Sequence, residues 1–428
     1  MVEACKRIIT LKKVAVIGSG IAGLSCAHLL HKHYDVTVFE KNDYIGGHTA
    51  TIDVNLGGVE YAVDTGFIVF NDRTYPYFEK LLDRLGVDRQ KTQMSFSVHN
   101  EGTGFEYNGH TFFSLFAQKR NIFRPKFWKL LKDIVRFNDV CKALHAKQTY
   151  TENQTLGELL DEHNFNEFFR FHYILPMGAA IWSTSIKEMT QVGVEFFVKF
   201  FYNHGLLDIT NRPQWYVIPG GSREYIKPMI QGFADKIRLN SNISSVSRTE
   251  DCAHIHFDDG HTETFDKVVF ACHSDQALKL LLDPSEDEKA VLAAMPYTAN
   301  SVVLHTDTAL LPKRKAAWAS WNYLLNDNTD KAAVVTYQMN ILQGIKSDTQ
   351  FCVTLNHREG ISKDKILREF TYHHPVFNKQ SIAAQKQKSL IDGKNNSYFC
   401  GAYWYNGFHE DGVRSAVNVA QQLGVEFE

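Results

Sequence analysis

Val14-Ala15-Val16-Ile17-Gly18-Ser19-Gly20-Ile21-Ala22-Gly23, an apolar run on to Leu30, and then Val36-Thr37-Val38-Phe39-Glu40 form the stretch that decides the fold. It reads as strand, glycine turn, helix, strand and acid, which is a dinucleotide-binding βαβ unit. Gly18 allows the tight turn, Gly20 lets backbone approach a pyrophosphate, and Gly23 lets the helix pack close to the strand. The start of the helix, at Ile21 and Ala22, presents N–H groups and a partial positive charge to phosphate. Glu40 ends the second strand, where a carboxylate can accept ribose hydroxyls; it also disfavours a 2′-phosphorylated cofactor. A lone glycine motif is weak, because glycines also punctuate ordinary turns. Here the flanking elements agree with it.

Beyond Glu40 and Lys41 comes a second glycine pair, Gly46-Gly47-His48-Thr49, and then Asp64-Thr65-Gly66-Phe67. A glycine pair there suggests a loop over a cofactor that continues past its pyrophosphate. Near the other end, Gly401-Ala402-Tyr403-Trp404-Tyr405 leads through His409-Glu410-Asp411-Gly412-Val413 into an apolar-periodic helix. That is another helix N-terminus able to face a polyanionic or flavin-oxygen ligand.

These residues resemble the FAD-dependent amine-oxidase and phytoene-desaturase superfamily, in which a GxGxxG…E…GG signature opens the chain and a glycine-rich strand–helix closes it over the flavin. More narrowly, Asp64-Thr65-Gly66-Phe67-Ile68-Val69, Trp318-Ala319-Ser320-Trp321-Asn322-Tyr323, His374-Pro375-Val376-Phe377 and Gly407-Phe408-His409-Glu410-Asp411-Gly412 are similar to bacterial FAD/NAD(P)-binding oxidoreductases encoded near cyclopropane-fatty-acid synthases. The resemblance implies a Rossmann-like α/β FAD-binding domain, discontinuous in sequence, with an α+β substrate domain. It also implies cofactor contacts at Gly18, Gly20, Ile21, Ala22, Gly23, Glu40 and Lys41. Further contacts follow at Gly46, Gly47, His48, Thr49, Asp64, Thr65 and Gly66, then at the Ile243 backbone beside the adenine, and at Gly401, Glu410, Asp411, Gly412 and Val413. Cys400 does not match the place of the cysteine that links flavin in monoamine oxidases, so non-covalent FAD is expected. The aromatic cage of those enzymes has no residue-by-residue match here.

The expected boundaries give FAD-binding pieces at 1–70, 215–282 and 397–428. They are interrupted by a mainly helical substrate part at 71–214 and a β-containing part at 283–396. Within these, the residues predict a hairpin near Glu101–Gly104, a capping box at Ser185-Ile186-Lys187-Glu188, strands at Ser301–Leu304 and Ala332–Val335, and an edge segment at Phe351–Leu355. No second GxGxxG follows, so a separate NAD(P)H domain is not expected.

A net charge of −2 supplies no field to recruit nucleic acid. The seven cysteines include no C-x-x-C pair, which speaks against a disulfide framework or a zinc knuckle. No H-E-x-x-H occurs among the 19 histidines, so no metal site is expected. Residues 1–13 carry no apolar core of an export signal, and no apolar run reaches spanning length. A cytoplasmic protein is expected, able to work at the inner face of the membrane.

Lys119 to Arg136 holds seven basic residues and one acid. From Pro125 it predicts a helix with Phe127, Leu130, Leu131 and Ile134 on one face and Lys126, Lys129, Asp133 and Arg136 on another. Such a helix either packs on the core or meets an anionic membrane. The aromatics Phe165, Phe168, Phe169, Phe171, Tyr173, Trp182, Phe196, Phe197, Phe200, Phe201 and Tyr202 fit either a packed core or a tunnel for an acyl chain. Tyr403, Trp404, Tyr405, Trp321 and Tyr323 are candidates for the wall of the reacting site; no residue is assigned as a base. The resemblance then implies hydride transfer to FAD, with three readings: dehydrogenation of a lipid acyl chain, amine oxidation with O2, or an FAD-bound partner of a lipid methyltransferase.

Overall fold

The computed structural model describes residues 11–326 and 330–428; most of the segment read for an export signal lies outside the described residues. The chain divides into two units.

The first unit runs to Gly47, resumes over Tyr225–Pro296 and ends with Ala383–Glu428. Its centre is a five-stranded sheet in the order Ile237–Arg238, Asp35–Phe39, Lys13–Ile17, Lys267–Phe270, Ser397–Phe399. All of its pairings are parallel. A parallel sheet is covered on both faces, which is why its central strands Lys13–Ile17 and Lys267–Phe270 are apolar runs after their first residue. Val14, Ala15, Val16, Val38, Val268 and Val269 are fully buried. An antiparallel trio, Ile243–Arg248, Ala253–Phe257 and Thr262–Phe265, completes the unit, with Gly260 at φ +88° in its second turn.

The second unit comprises His48–Glu224 and Tyr297–Ile382. Its seven-stranded sheet runs Ile366–Pro375, Tyr297–His305, Cys352–Leu355, Val334–Gln338, Trp321–Leu325, Phe96–Asn100, Phe105–Asn108. Only the Trp321–Phe96 pairing is parallel. The hairpin joining Phe96–Asn100 to Phe105–Asn108 and the Ser185/Glu188 capping box both form as expected; the Ser185 hydroxyl accepts the Glu188 N–H at 3.1 Å.

Three expectations change. The unit boundary falls after Gly47 instead of near Phe70, because the hairpin Thr51–Leu56/Val59–Asp64 buries Val54 and Val63 in one core with Val302, Leu304 and Phe351. The later boundaries fall at Tyr225, Pro296 and Ala383. Phe351–Leu355 is no edge: Cys352–Leu355 pairs with strands on both sides. Asp133 leaves the polar face of the helix Pro125–Lys147. It lies three residues after Leu130 and four before Phe137, on the buried side, and pairs with Arg136 at 3.0 Å.

Candidate functional site

The glycine loop of the first unit is built for close approach. Gly18 sits at φ +109°, and a Cβ there would lie 2.9 Å from the Ala271 carbonyl oxygen. A Cβ at Gly23 would lie 1.9 Å from the Gly18 carbonyl oxygen, so the helix Ile21–Leu30 abuts its own entry turn. Gly20 differs. Its φ is −68°, and an added Cβ would meet nothing within 4 Å. It caps the helix with no side-chain bond and no acid in the first turn, leaving the N–H groups of that turn available to an anion. The second glycine pair lies against this point. The Gly46 N–H donates to the Ser19 carbonyl at 3.0 Å, and a Gly47 Cβ would lie 3.2 Å from the Gly20 Cα.

Glu40 stands where the strand Asp35–Phe39 ends, and its carboxylate already has partners. One oxygen accepts the Ser19 N–H at 2.9 Å and the Ser19 hydroxyl at 2.6 Å. The other accepts the Asn42 backbone N–H at 2.9 Å and its amide at 2.8 Å. A carboxylate offers about four acceptor sites, so a ribose hydroxyl would have to displace the Ser19 hydroxyl or the Asn42 amide. Neither of these two residues was singled out from sequence. Lys41 is exposed, and the Ile243 N–H donates to the Ser241 carbonyl at 3.0 Å.

The closing helix His409–Gln422 starts beside the first helix: a Cβ on Gly412 would meet the Ile21 side chain at 2.7 Å. Two helix N-termini therefore lie together, each with a partial positive charge. Gly401 donates its N–H to the Ser415 hydroxyl at 2.8 Å, and His409 and Tyr225 join at 2.8 Å. Glu410, Asp411 and Val413 are buried. Of the wall candidates here, Tyr403 and Trp404 are buried with rings 5.0 Å apart, and Tyr405 lies under the Arg414 guanidinium at 4.2 Å. Cys400 is a free, buried cysteine whose thiol is pushed well up, first by its hydrogen bond with the Cys26 thiol and then by burial.

Asp411 accepts the Phe408 N–H at 2.9 Å and the Asn406 N–H at 3.2 Å. Burial, aided by Glu410, pushes its carboxyl up to about 7 despite these bonds and Arg414. A raised carboxyl favours the folded state most below pH 4, and this contribution is lost as pH rises through about 7. The shift corresponds to at most about 4 kcal/mol. Asp411→Asn keeps an acceptor oxygen but does not titrate. The thermal midpoint of the FAD-free wild type relative to that variant should therefore fall between pH 5 and pH 8; a flat difference would contradict the assignment.

The remaining expected contacts belong to the second unit. His48 is partly buried, lies 5.0 Å ring to ring from Tyr372, and is held near a pKa of about 4 by burial and His373. Thr49 is buried. Asp64 accepts from the Ser222 N–H at 2.9 Å, the Thr51 hydroxyl at 2.6 Å and the Gln343 amide at 2.8 Å, so it ties the hairpin to two distant segments. Thr65 bonds the Tyr372 hydroxyl at 2.8 Å, and a Cβ on Gly66 would lie 2.2 Å from the His48 carbonyl oxygen. Trp321 packs edge-on against Tyr337 at 5.0 Å, and Tyr323 is buried in the same strand.

Residues 21–345 match the model of the flavin containing amine oxidoreductase family, about three-quarters of the chain. The chain belongs to that family. A 1-hydroxycarotenoid 3,4-desaturase of Flavobacterium is 32% identical over 166 residues, covering 35% of this chain and 33% of the relative. Flavin-containing amine oxidase A of Canis lupus familiaris is 24% identical over 248 residues, covering 56% of this chain and 45% of the relative. The matches thus span less than half the length of these relatives. In fold, a redesigned putrescine oxidase aligns with a TM-score of 0.71 at 14% identity, over 97% of this chain and 99% of the other. A CLA-producing fatty acid isomerase from P. acnes aligns with a TM-score of 0.67 at 16% identity, over 97% and 99%.

The cofactor of this flavoprotein is FAD, and the first unit fits it. Open space at Gly20 and the N-terminus of the first helix would hold the pyrophosphate, with the Gly46–Gly47 pair against the same loop. FAD supplies a hydride acceptor.

Proposed function

We propose that this FAD-dependent oxidoreductase dehydrogenates a lipid acyl chain, removing two hydrogens from adjacent carbons as a hydride and a proton. The observation that carries the reading is the treatment of charge in the second unit. Among the described residues its buried carboxylates are Asp64, Glu106, Asp133 and Asp307. Each is held within that unit: Asp64 by Ser222 and Gln343, Glu106 by Arg314, Asp133 by Arg136, and Asp307 by Ser362 and Lys365. Each of the four therefore already has a partner, and only Glu106 Oε2 and Asp133 Oδ2 are left over, so a substrate ammonium, costly to desolvate unpaired, would have to share a carboxylate that is already engaged.

The aromatic stretch divides. Phe165, Phe169, Phe197 and Phe201 are core, packed with Phe137. Trp182 packs tilted against Phe196 at 5.3 Å, and Phe196 stacks on Phe377 at 5.5 Å. The Trp182 indole N–H is buried without an acceptor. The ring faces suit a hydrocarbon, while the indole N–H remains a donor that a hydrocarbon would not pair. The likeness to a carotenoid desaturase supports the same class of reaction.

Amine oxidation is the second reading, favoured by the family match and by the fold shared with putrescine oxidase. Mass spectrometry of phospholipid incubated with the FAD-loaded protein and an artificial electron acceptor separates the two. The acyl reading predicts a two-hydrogen mass loss in the acyl chain; unchanged lipid together with deamination of amines contradicts it.

A further inference from the structure

The helix Pro125–Lys147 does not present its long apolar face to the outside: Phe127, Leu130, Phe137 and Cys141 are buried. The exposed apolar side chains lie instead on the segment leading into it and at Trp128 in its first turn, with Val135 alone further along. Phe113 is 87% exposed, Phe123 86% and Phe112 72%; Ile122 and Trp128 are about half exposed. They are linked locally. Phe112 packs on Phe116 at 5.0 Å, Phe116 on Trp128 at 5.7 Å, and the Trp128 indole N–H donates to the Ile122 carbonyl at 2.8 Å. Phe112 and Phe113 stand in the short helix Phe112–Leu115, whose Thr111/Ser114 capping box holds it in place. Large aromatics exposed on a defined scaffold cost solubility unless something covers them.

The charge around them indicates what does. From Phe112 to Lys132 the chain contains six basic residues and no acid. Lys119, Lys126, Lys129 and Lys132 are exposed, and none forms an ion pair among the described residues. By contrast Arg136 is paired with Asp133 and Lys142 with Asp208 further along the same helix. Unpaired lysines beside protruding phenylalanines match a surface that is anionic at its headgroups and apolar just beneath.

We propose that Phe112, Phe113, Ile122, Phe123 and Trp128, flanked by these lysines, form the face by which the protein docks on an anionic phospholipid bilayer. The phenylalanines enter the boundary between headgroups and acyl chains while the lysine ammonium groups remain at phosphate level. This docking stands on exposure and charge and does not depend on the acyl-chain reading of the reaction.

Sedimentation of the FAD-loaded protein with vesicles tests it. The wild type should bind vesicles containing phosphatidylglycerol at least ten-fold more tightly than pure phosphatidylcholine, and rising salt should narrow that difference. Phe113→Ser with Phe123→Ser should lower binding at least ten-fold at unchanged flavin content and thermal midpoint, as should Lys126→Glu, Lys129→Glu and Lys132→Glu together. Leu282→Ser, an exposed apolar position elsewhere, should change nothing. Absent vesicle binding, or binding indifferent to both sets of variants, overturns the proposal. So does a wild-type dimer that the Phe113/Phe123 variant dissociates, which would assign the face to a second copy of the chain. Failure of acyl dehydrogenation with docking intact would leave this proposal standing and remove only the substrate.

Discussion

Gly20→Val should give a folded, colourless protein. The backbone at Gly20 is in the extended region at φ −68°, and a Cβ there meets nothing within 4 Å, so the polypeptide itself accepts the side chain without strain. The space it enters is where the pyrophosphate must approach the first turn of the helix Ile21–Leu30. Loss of at least 100-fold in FAD affinity is expected, about 2.8 kcal/mol, while the thermal midpoint matches that of FAD-stripped wild type. Gly23→Ala should behave oppositely. Its Cβ would sit 1.9 Å from the Gly18 carbonyl, a backbone atom with nowhere to move, so the helix must lift from its turn. Destabilisation of about 3 kcal/mol or more is expected with or without FAD. Two glycines three residues apart thus separate binding from folding. If Gly20→Val retains full flavin, the loop is not the phosphate site.

The second large effect lies at Arg248, which holds together the interrupted first unit. Its guanidinium is buried and faces Glu288, itself buried, with a second bond at 2.9 Å. It also reaches the Asp283 carbonyl at 2.9 Å and the Ser397 hydroxyl at 3.2 Å. One side chain therefore joins the strand Ile243–Arg248, the helix Glu286–Ala293 and the strand Ser397–Phe399, the last from a separate chain segment. Arg248→Met leaves a buried carboxylate without its counter-charge, which costs about 3–5 kcal/mol. A fall of about 10 °C in the thermal midpoint is expected. Adding Glu288→Leu should restore part of it, because the stranded charge is then gone. A midpoint within a degree or two of wild type for the single variant would show that the pair is dispensable.

The βαβ opening was legible because a glycine turn, apolar strands and a terminal acid are all local signals. The unit boundaries were not. The hairpin Thr51–Leu56/Val59–Asp64 carries no local mark of which core it joins, and only the packing of Val54 and Val63 on Phe351 decides it. Asp133 was misplaced because helical spacing puts it between two faces, and its pairing with Arg136 allows burial. The partners of Glu40 were missed although Asn42, two residues on, is a spacing from which asparagine commonly bonds such a neighbour. The exposure of Phe112 and Phe113 is a tertiary fact that no local pattern marks.

The measurement that tests the account most directly is anaerobic bleaching of the flavin absorption band, with phospholipid vesicles and simple amines titrated separately. Acyl-chain dehydrogenation predicts bleaching by lipid at a stoichiometry of one double bond formed per flavin reduced, and none by amines. Bleaching by amines alone would contradict it and make the protein an amine oxidase.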